Sequence, residues 1–330
     1  MPKEKKDDLR DKKIDEAMAK LQKQFGSEII QRLEEEDIKT EFISTGSYGL
    51  DYVMGGGFPR KRIIEVSGMQ SSGKTALALQ FIGRCQNMGM KCAFVDVECS
   101  FDTDFAKKIG VDIINLIYSQ PTTGEEALSV VEQLVDTGVV DVIVLDSVAA
   151  LTPKKELEGE LEKQDMALQA KLLAKFLRRV TANVAKRNVV LIMINQLRDV
   201  FNAMSFGPQT KTAGGNALRF YSSIRLSVAK GKKIKDGEEV VGNILLVKAE
   251  KNKVAPPSRE CELSIIYSQG IDLCLDTLDW AERGGVIRKT GTSYYFGDEK
   301  IGVGRDASAD YLRQNKDVLD KIRLELDKIK

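Results

Sequence analysis

Gly68-Met69-Gln70-Ser71-Ser72-Gly73-Lys74-Thr75 is the stretch that decides the fold. It fits Gly-x-x-x-x-Gly-Lys-Thr, a loop whose glycines let backbone N–H groups turn inward around phosphate oxygens. Ahead of it, Arg62-Ile63-Ile64-Glu65-Val66 reads as a buried strand. Behind it, Ala76-Leu77-Ala78-Leu79-Gln80-Phe81-Ile82 reads as a helix. Strand, loop and helix in that order are the context the motif needs, because the helix N-terminus adds positive potential where the phosphates sit. In that geometry Lys74 reaches the β/γ-phosphates and the Thr75 hydroxyl ligates Mg²⁺.

Working outward, 330 residues with 42% hydrophobic content suffice for one sizeable core with small flanking units. A net charge of +1 means that any nucleic-acid site must be a local patch or a set of loops. No apolar run approaches the roughly 18 residues of a membrane span. The charged start, Met1-Pro2-Lys3-Glu4-Lys5-Lys6, has no apolar stretch behind it and does not read as a secretory signal. Cys85, Cys92, Cys99, Cys261 and Cys274 lack close-paired metal spacing and fit reduced thiols in a cytoplasmic protein. Histidine is absent, which removes Ser-His and Cys-His triads and His-ligated metals. A general base must then be a carboxylate, or a water held by one.

Residues 1–13 read as a charged, frayed lead. Ile14, Met18, Leu21 and Phe25 then recur at helical spacing up to Gly26, and an acidic linker follows. From Arg62 strands and helices alternate: strands Cys92–Val97, Asn115–Ser119, Asp141–Asp146 and Val189–Ile194, with helices near 124–137 and 164–186. Apolar strands alternating with helices argue a mostly parallel sheet covered on both faces, with ligands at the strand carboxyl ends. After Phe220 the strands 223–228, 243–248 and 260–267 read as an antiparallel extension. From Ile271 a small α+β unit ends in a helix carrying Val318, Leu319, Ile322, Leu326 and Ile329. The expected divisions are 1–37, an oligomerisation helix and linker; 38–270, an α/β ATPase core; and 271–330, the C-terminal α+β unit.

Asp146 closes an apolar strand well after the loop, where the Mg²⁺-holding acid belongs. Glu98 follows Asp96-Val97 and could polarise an attacking water; a solvated turn acid is the bland alternative. Gln196, after Asn195 at a strand end, could sense the γ-phosphate or simply cap. Residues 197–214 form an irregular segment with Arg198, Phe201, Phe206, Lys211 and Gly214. Cations interleaved with aromatics suit a single nucleic-acid strand. Segment 156–166 shares that sheet edge but is acidic. Lys251-Asn252-Lys253 follows a strand, where a solvated pair of turn lysines is commonplace.

These residues resemble the bacterial RecA recombinase family from about Ile14 to the C-terminus. The resemblance is carried by Lys23-Gln24-Phe25-Gly26, Ile43-Ser44-Thr45-Gly46-Ser47, the phosphate loop and Ser119-Gln120-Pro121. It continues through Val142-Ile143-Val144-Leu145-Asp146-Ser147-Val148-Ala149-Ala150-Leu151-Thr152-Pro153, Ile194-Asn195-Gln196, Gly214-Gly215-Asn216-Ala217-Leu218 and Lys251-Asn252-Lys253. It implies a helical filament on single-stranded DNA, capture of double-stranded DNA, strand exchange in recombinational repair, and ATP with Mg²⁺ bound between subunits.

By position the resemblance makes Glu98 the hydrolytic glutamate, Gln196 the γ-phosphate sensor, and Lys251 and Lys253 cations that reach a neighbour's ATP. Gly68 to Ala76 cradle the phosphates, and Asp102 and Tyr267 flank adenine. Met166, Lys171, Arg178, Arg198, Phe206, Lys211, Gly214, Gly215 and Asn216 fall on or beside the two DNA loops. This chain departs from the family pattern at Met69, Gln70 and Ala76 in the phosphate loop, at Cys99-Ser100-Phe101, at Phe105, at Glu162–Ala167, at Lys171 and at Gln209. It ends Lys328-Ile329-Lys330 without an acidic tail. Two other readings stay open on this core: an ATP-gated filament that coats DNA without exchanging strands, and a ring-shaped helicase or ATPase motor.

Overall fold

The computed structural model describes residues 3–26, 30, 32, 39–158, 166–200 and 209–329, with the backbone alone at 3–9, 166, 199–200 and 209–210. The chain forms two compact units, residues 1–41 and 42–330. In the first, α1 spans Lys3–Phe25. The helix therefore reaches back through the stretch expected to be frayed. Lys, Glu, Leu and Arg are good helix formers, so a helix persists there without an apolar stripe. It stops at Gly26, whose φ of 102° is open to glycine.

The second unit is built on one large sheet. Its strands are β3 (Arg62–Gly68), β4 (Cys92–Asp96), β5 (Ile117–Ser119), β6 (Val142–Asp146), β7 (Val190–Val200), β8 (Gln209–Thr212), β9 (Ile224–Asp236), β10 (Glu239–Asn252), β11 (Glu260–Ile266) and β12 (Gly270–Ile271). The order is β12-β11-β10-β9-β3-β7-β6-β4-β5, with β8 paired to β7. From β9 through β5 neighbouring strands run parallel; β10, β11 and β12 are added antiparallel. A separate pair, β1 (Phe42–Ile43) and β2 (Phe58–Pro59), flanks α2 (Tyr48–Met54).

The parallel strands are apolar throughout because both faces are covered. Ile64, Val66, Leu77 and Phe81 join one buried cluster, which includes α3 (Lys74–Asn87). Ile63, Leu191, Val131 and Leu177 join the other, with α5 (Gly124–Thr137) and α7 (Met166–Lys186). Each such side chain taken fully out of water contributes about 1.5–3 kcal/mol before entropy is counted. Helix α5 opens with a capping box in which Thr123 and Glu126 satisfy each other's backbone N–H groups. Shorter helices are α4 (Thr103–Lys108), α6 (Lys154–Leu157) and α8 (Ala217–Tyr221).

Residues 197–214 were expected to be irregular. Their two ends are instead strand: β7 runs on to Val200, and β8 returns beside it with Leu197 opposite Thr212 and Arg198 opposite Lys211. Cross-strand pairing, not burial, makes this stem, so the hydrophobic pattern does not reveal it. Residues 201–208, with Phe201 and Phe206, and 159–165 lie outside the described residues. Towards the C-terminus α9 (Leu273–Arg283), β13 (Ile287–Thr290), β14 (Ser293–Phe296), β15 (Glu299–Val303), α10 (Arg305–Gln314) and α11 (Lys316–Asp327) share a third buried cluster. Tyr48 of α2 belongs to that cluster too. The buried Asp276 of α9 accepts hydrogen bonds from the N–H groups of Tyr48 (2.6 Å) and Gly49 (3.1 Å), the first turn of α2. Among the described residues no helix is long and apolar enough to cross a membrane.

Candidate nucleotide site

Parallel pairing brings the carboxyl ends of β3, β7, β6 and β4 to one edge. Gly68 is in register with Gln196, and Asp96 with Asp146. A cavity of about 520 Å³ opens there. The loop after β3 forms its floor. A Cβ on Gly68 would meet the Val228 carbonyl oxygen at 2.2 Å, and one on Gly73 (φ 89°) would meet Leu245 at 2.9 Å. Glycine is thus required at both positions. The Ser72 Oγ is buried without a hydrogen-bond partner, although its residue lines the cavity. The Lys74 amine donates to the carbonyls of Gly68 (3.2 Å) and Met69 (2.8 Å). Burial lowers its pKa, with Asp146 and Glu98 pulling the other way. A buried cation, an orphan hydroxyl and a helix N-terminus over a glycine cradle fit a polyphosphate.

Thr75 Oγ1 donates to Asp146 Oδ2 at 2.6 Å. Burial pushes the Asp146 carboxyl up to about 6, while the Thr75 hydrogen bond lowers it and Glu98 and Asp96 raise it further. Both side chains offer oxygen only, the donor set of a hard divalent cation. The Glu98 carboxylate accepts from Gln196 Nε2 at 2.6 Å and from the Ser147 hydroxyl. Its position is set by Asp96, which sequence reasoning passed over. Asp96 is buried and accepts from the N–H groups of Glu98, Ser100 and Phe101 and from the Tyr118 hydroxyl. The signal in the sequence is the one that also marks Asp146, an acid closing an apolar strand. Asp102 caps α4 through the N–H groups of Asp104 and Phe105. Tyr267 accepts a 2.5 Å hydrogen bond from the buried Asn243, another residue missed in the sequence.

Asp102, Tyr267 and Ala76 line the same cavity as Lys74, Thr75, Glu98, Asp146 and Gln196. Lys251 and Lys253 do not. The Lys251 amine donates to the carbonyls of Arg219, Phe220 and Ser222 at the end of α8. Burial lowers its pKa, as do Lys253 and Arg225. Lys253 is exposed. Lys171 and Arg178 are exposed on α7, and the Met166 side chain lies outside the described residues. Arg198 and Lys211 are exposed and directly opposite each other. Like charges so placed repel unless an anion lies between them. Gly214 is buried under Val148 and Leu173, whereas Gly215 and Asn216 are exposed.

A family model of the RecA N-terminal domain matches residues 12–272, and one of the RecA C-terminal domain matches 276–328. The proteins called "Protein RecA" from Francisella tularensis subsp. novicida (strain U112) and subsp. tularensis (strain SCHU S4 / Schu 4) are each 45% identical over 323 residues. That covers 96% of this chain and 90% of the relative. The chain belongs to the RecA family, the ATP-binding, DNA-dependent ATPases of recombination.

Proposed function

We propose that this chain polymerises on single-stranded DNA with ATP, pairs that strand with homologous duplex, and exchanges strands in the cytoplasm. The observation that supports this most is the position of Gln196. Its amide lies 2.6 Å from Glu98, and its strand continues into the stem where Arg198 faces Lys211. Nucleotide chemistry and the DNA segment thus share one strand.

In this reading the loop N–H groups and Lys74 hold the phosphates. Thr75 and Asp146 hold Mg²⁺, which neutralises phosphate charge when bound. Glu98 takes the proton of the attacking water. In this structure Gln196 occupies Glu98. A γ-phosphate that draws the Gln196 amide away frees the carboxylate and pulls on β7, the strand that leads into the DNA segment. Lys251 and Lys253 serve a neighbouring subunit's nucleotide, so hydrolysis depends on assembly, as with an arginine finger. Residues 1–37 dock on the next subunit, 38–270 carry the reaction, and 271–330 receive duplex DNA.

The test is DNA-stimulated ATPase and strand exchange measured on one preparation, with Glu98→Gln alongside. The wild type should do both. Glu98→Gln should bind ATP and DNA yet hydrolyse about 10²–10⁴ times more slowly. ATPase with DNA coating but no exchange would make the protein a coat. Closed rings in electron micrographs of the ATP state would make it a motor. Wild-type turnover in Glu98→Gln would remove Glu98 from its role.

A further inference from the structure

Glu65 is fully buried in the middle of β3, an acid between the apolar Ile64 and Val66. No step of the reaction above uses it. Its Oε2 accepts from Arg225 Nε on β9 at 2.5 Å, and its Oε1 accepts from Asn195 Nδ2 on β7 at 3.0 Å. A carboxylate so placed is costly unless charge and hydrogen bonds compensate it, and both are present.

The two partners lead in different directions. Asn195, also fully buried, spans the two stems of the candidate DNA segment. Its Oδ1 accepts from the N–H of Gln196 (2.9 Å), and its Nδ2 also donates to the Ala213 carbonyl (3.1 Å). Arg225 is in register with Glu65 on one side and with Lys251 on the other. Lys251 in turn holds the end of α8, the helix that follows Ala213, Gly214, Gly215 and Asn216. Asn195, Glu65, Arg225 and Lys251 therefore form one row, on four neighbouring strands, from the root of the DNA segment to the lysine edge.

We propose that Glu65 is a positioning residue: through Asn195 and Arg225 it couples the seating of Gln196 and Ala213, at the base of the β7–β8 stem, to the placement of Lys251. This rests on reading that stem as part of a DNA contact and Lys251 as a cation for a neighbour's nucleotide. A bound strand that shifts the stems must shift Asn195, because its amide is shared between both. Glu65 can follow Asn195 only by altering its grip on Arg225, and Lys251 lies in the next register position. The expected consequence is confined to stimulation by DNA, since Glu65 touches neither the phosphate loop nor Glu98.

The test compares ATPase with and without single-stranded DNA in Glu65→Gln, which keeps the shape and an acceptor for Asn195 while removing the charge. Neutralising both members, in Glu65→Gln/Arg225→Gln, guards against a fold failure from an unpaired Arg225. Basal ATPase, nucleotide affinity and the thermal melt of the double variant should stay near wild type, while stimulation by DNA falls about tenfold. Asn195→Ala should lower stimulation similarly, and combining it with the Glu65 change should add little, because both cut one path. Undiminished stimulation in the folded double variant, or a fully additive loss with Asn195→Ala, would overturn the proposal. Arg198→Ala/Lys211→Ala checks the premise separately. If that pair leaves DNA affinity unchanged, the reading of the segment fails and the coupling fails with it. If affinity drops while the Glu65 variants still respond fully to DNA, only the coupling fails.

Discussion

The nucleotide cradle and the junction between α2 and α9 are both built around buried carboxylates, yet they are finished differently. At the junction, Asp276 meets the two N–H groups that α2 leaves open at its start, and little is left over. At the cradle, the Ser72 hydroxyl has no hydrogen-bond partner among the described residues, Lys74 is turned onto loop carbonyls, and the Thr75 hydroxyl is turned onto Asp146. A structural joint satisfies its groups internally. A binding site keeps groups in reserve for a ligand, at a cost to stability. The difference predicts that the two regions fail in opposite ways when cut.

The largest effect belongs to the cradle. Lys74→Ala should lose about 10²–10³-fold in ATP affinity or turnover, the cost typical of removing one preorganised donor to a charged group. Its melting temperature without nucleotide should hold, since a desolvated lysine is removed. A clear drop in stability with ATP binding intact would break the comparison. At the junction the order reverses. Asp276→Ala removes the carboxylate that accepts from the Tyr48 and Gly49 N–H groups and should cost about 2–4 kcal/mol in urea unfolding, with nucleotide affinity unchanged.

The junction also carries a pH signature. Burial raises the Asp276 carboxyl to about 7, with Asp279 adding to it and the N–H groups of Gly49 and Tyr48 opposing. The unfolded value is about 3.9. The folded state thus binds the proton more tightly, and this contribution is complete below about pH 4 and is lost as pH rises through about 7. Wild-type stability should fall across that window more steeply than that of Asp276→Ala. Parallel profiles would assign the slope to other groups.

The smallest effect lies on the outside of the same helix. Arg305 clasps Asp279 with two hydrogen bonds, of 2.8 and 2.6 Å, but both side chains are more than a third exposed. Asp279→Ala should cost only about 0.5 kcal/mol, shrinking as salt is added. A loss as large as that of Asp276→Ala would mean that burial is not what separates the two aspartates.

Much of the cradle was legible because its parts are local in sequence. The loop sits between a strand and a helix that both announce themselves, and Asp146 ends an unbroken apolar strand. What escaped depends on strand order. Asn195 and Glu65 acquire their roles only once β3 lies between β7 and β9. Nothing within a few residues of either encodes that. The β7–β8 stem escaped because Gln209-Thr210-Lys211-Thr212 has no apolar face and is held by pairing alone. The helical start at Lys3 escaped because its residues carry helix propensity without apolar periodicity.

Tyr48 has a consequence for how this molecule can be taken apart. Its ring completes the hydrophobic interior of the C-terminal lobe, yet it is encoded more than two hundred residues upstream. The lobe is therefore not a portable cassette. A fragment starting at residue 272 would lack one side of its own interior and carry a buried acid with nothing to bind. Grafted onto another body, it would need a host helix offering an aromatic ring and two free peptide groups at the same spot. Sequence drift in α2 and α9 is consequently tied together, and an exchange of lobes between relatives has to bring the matching helix along.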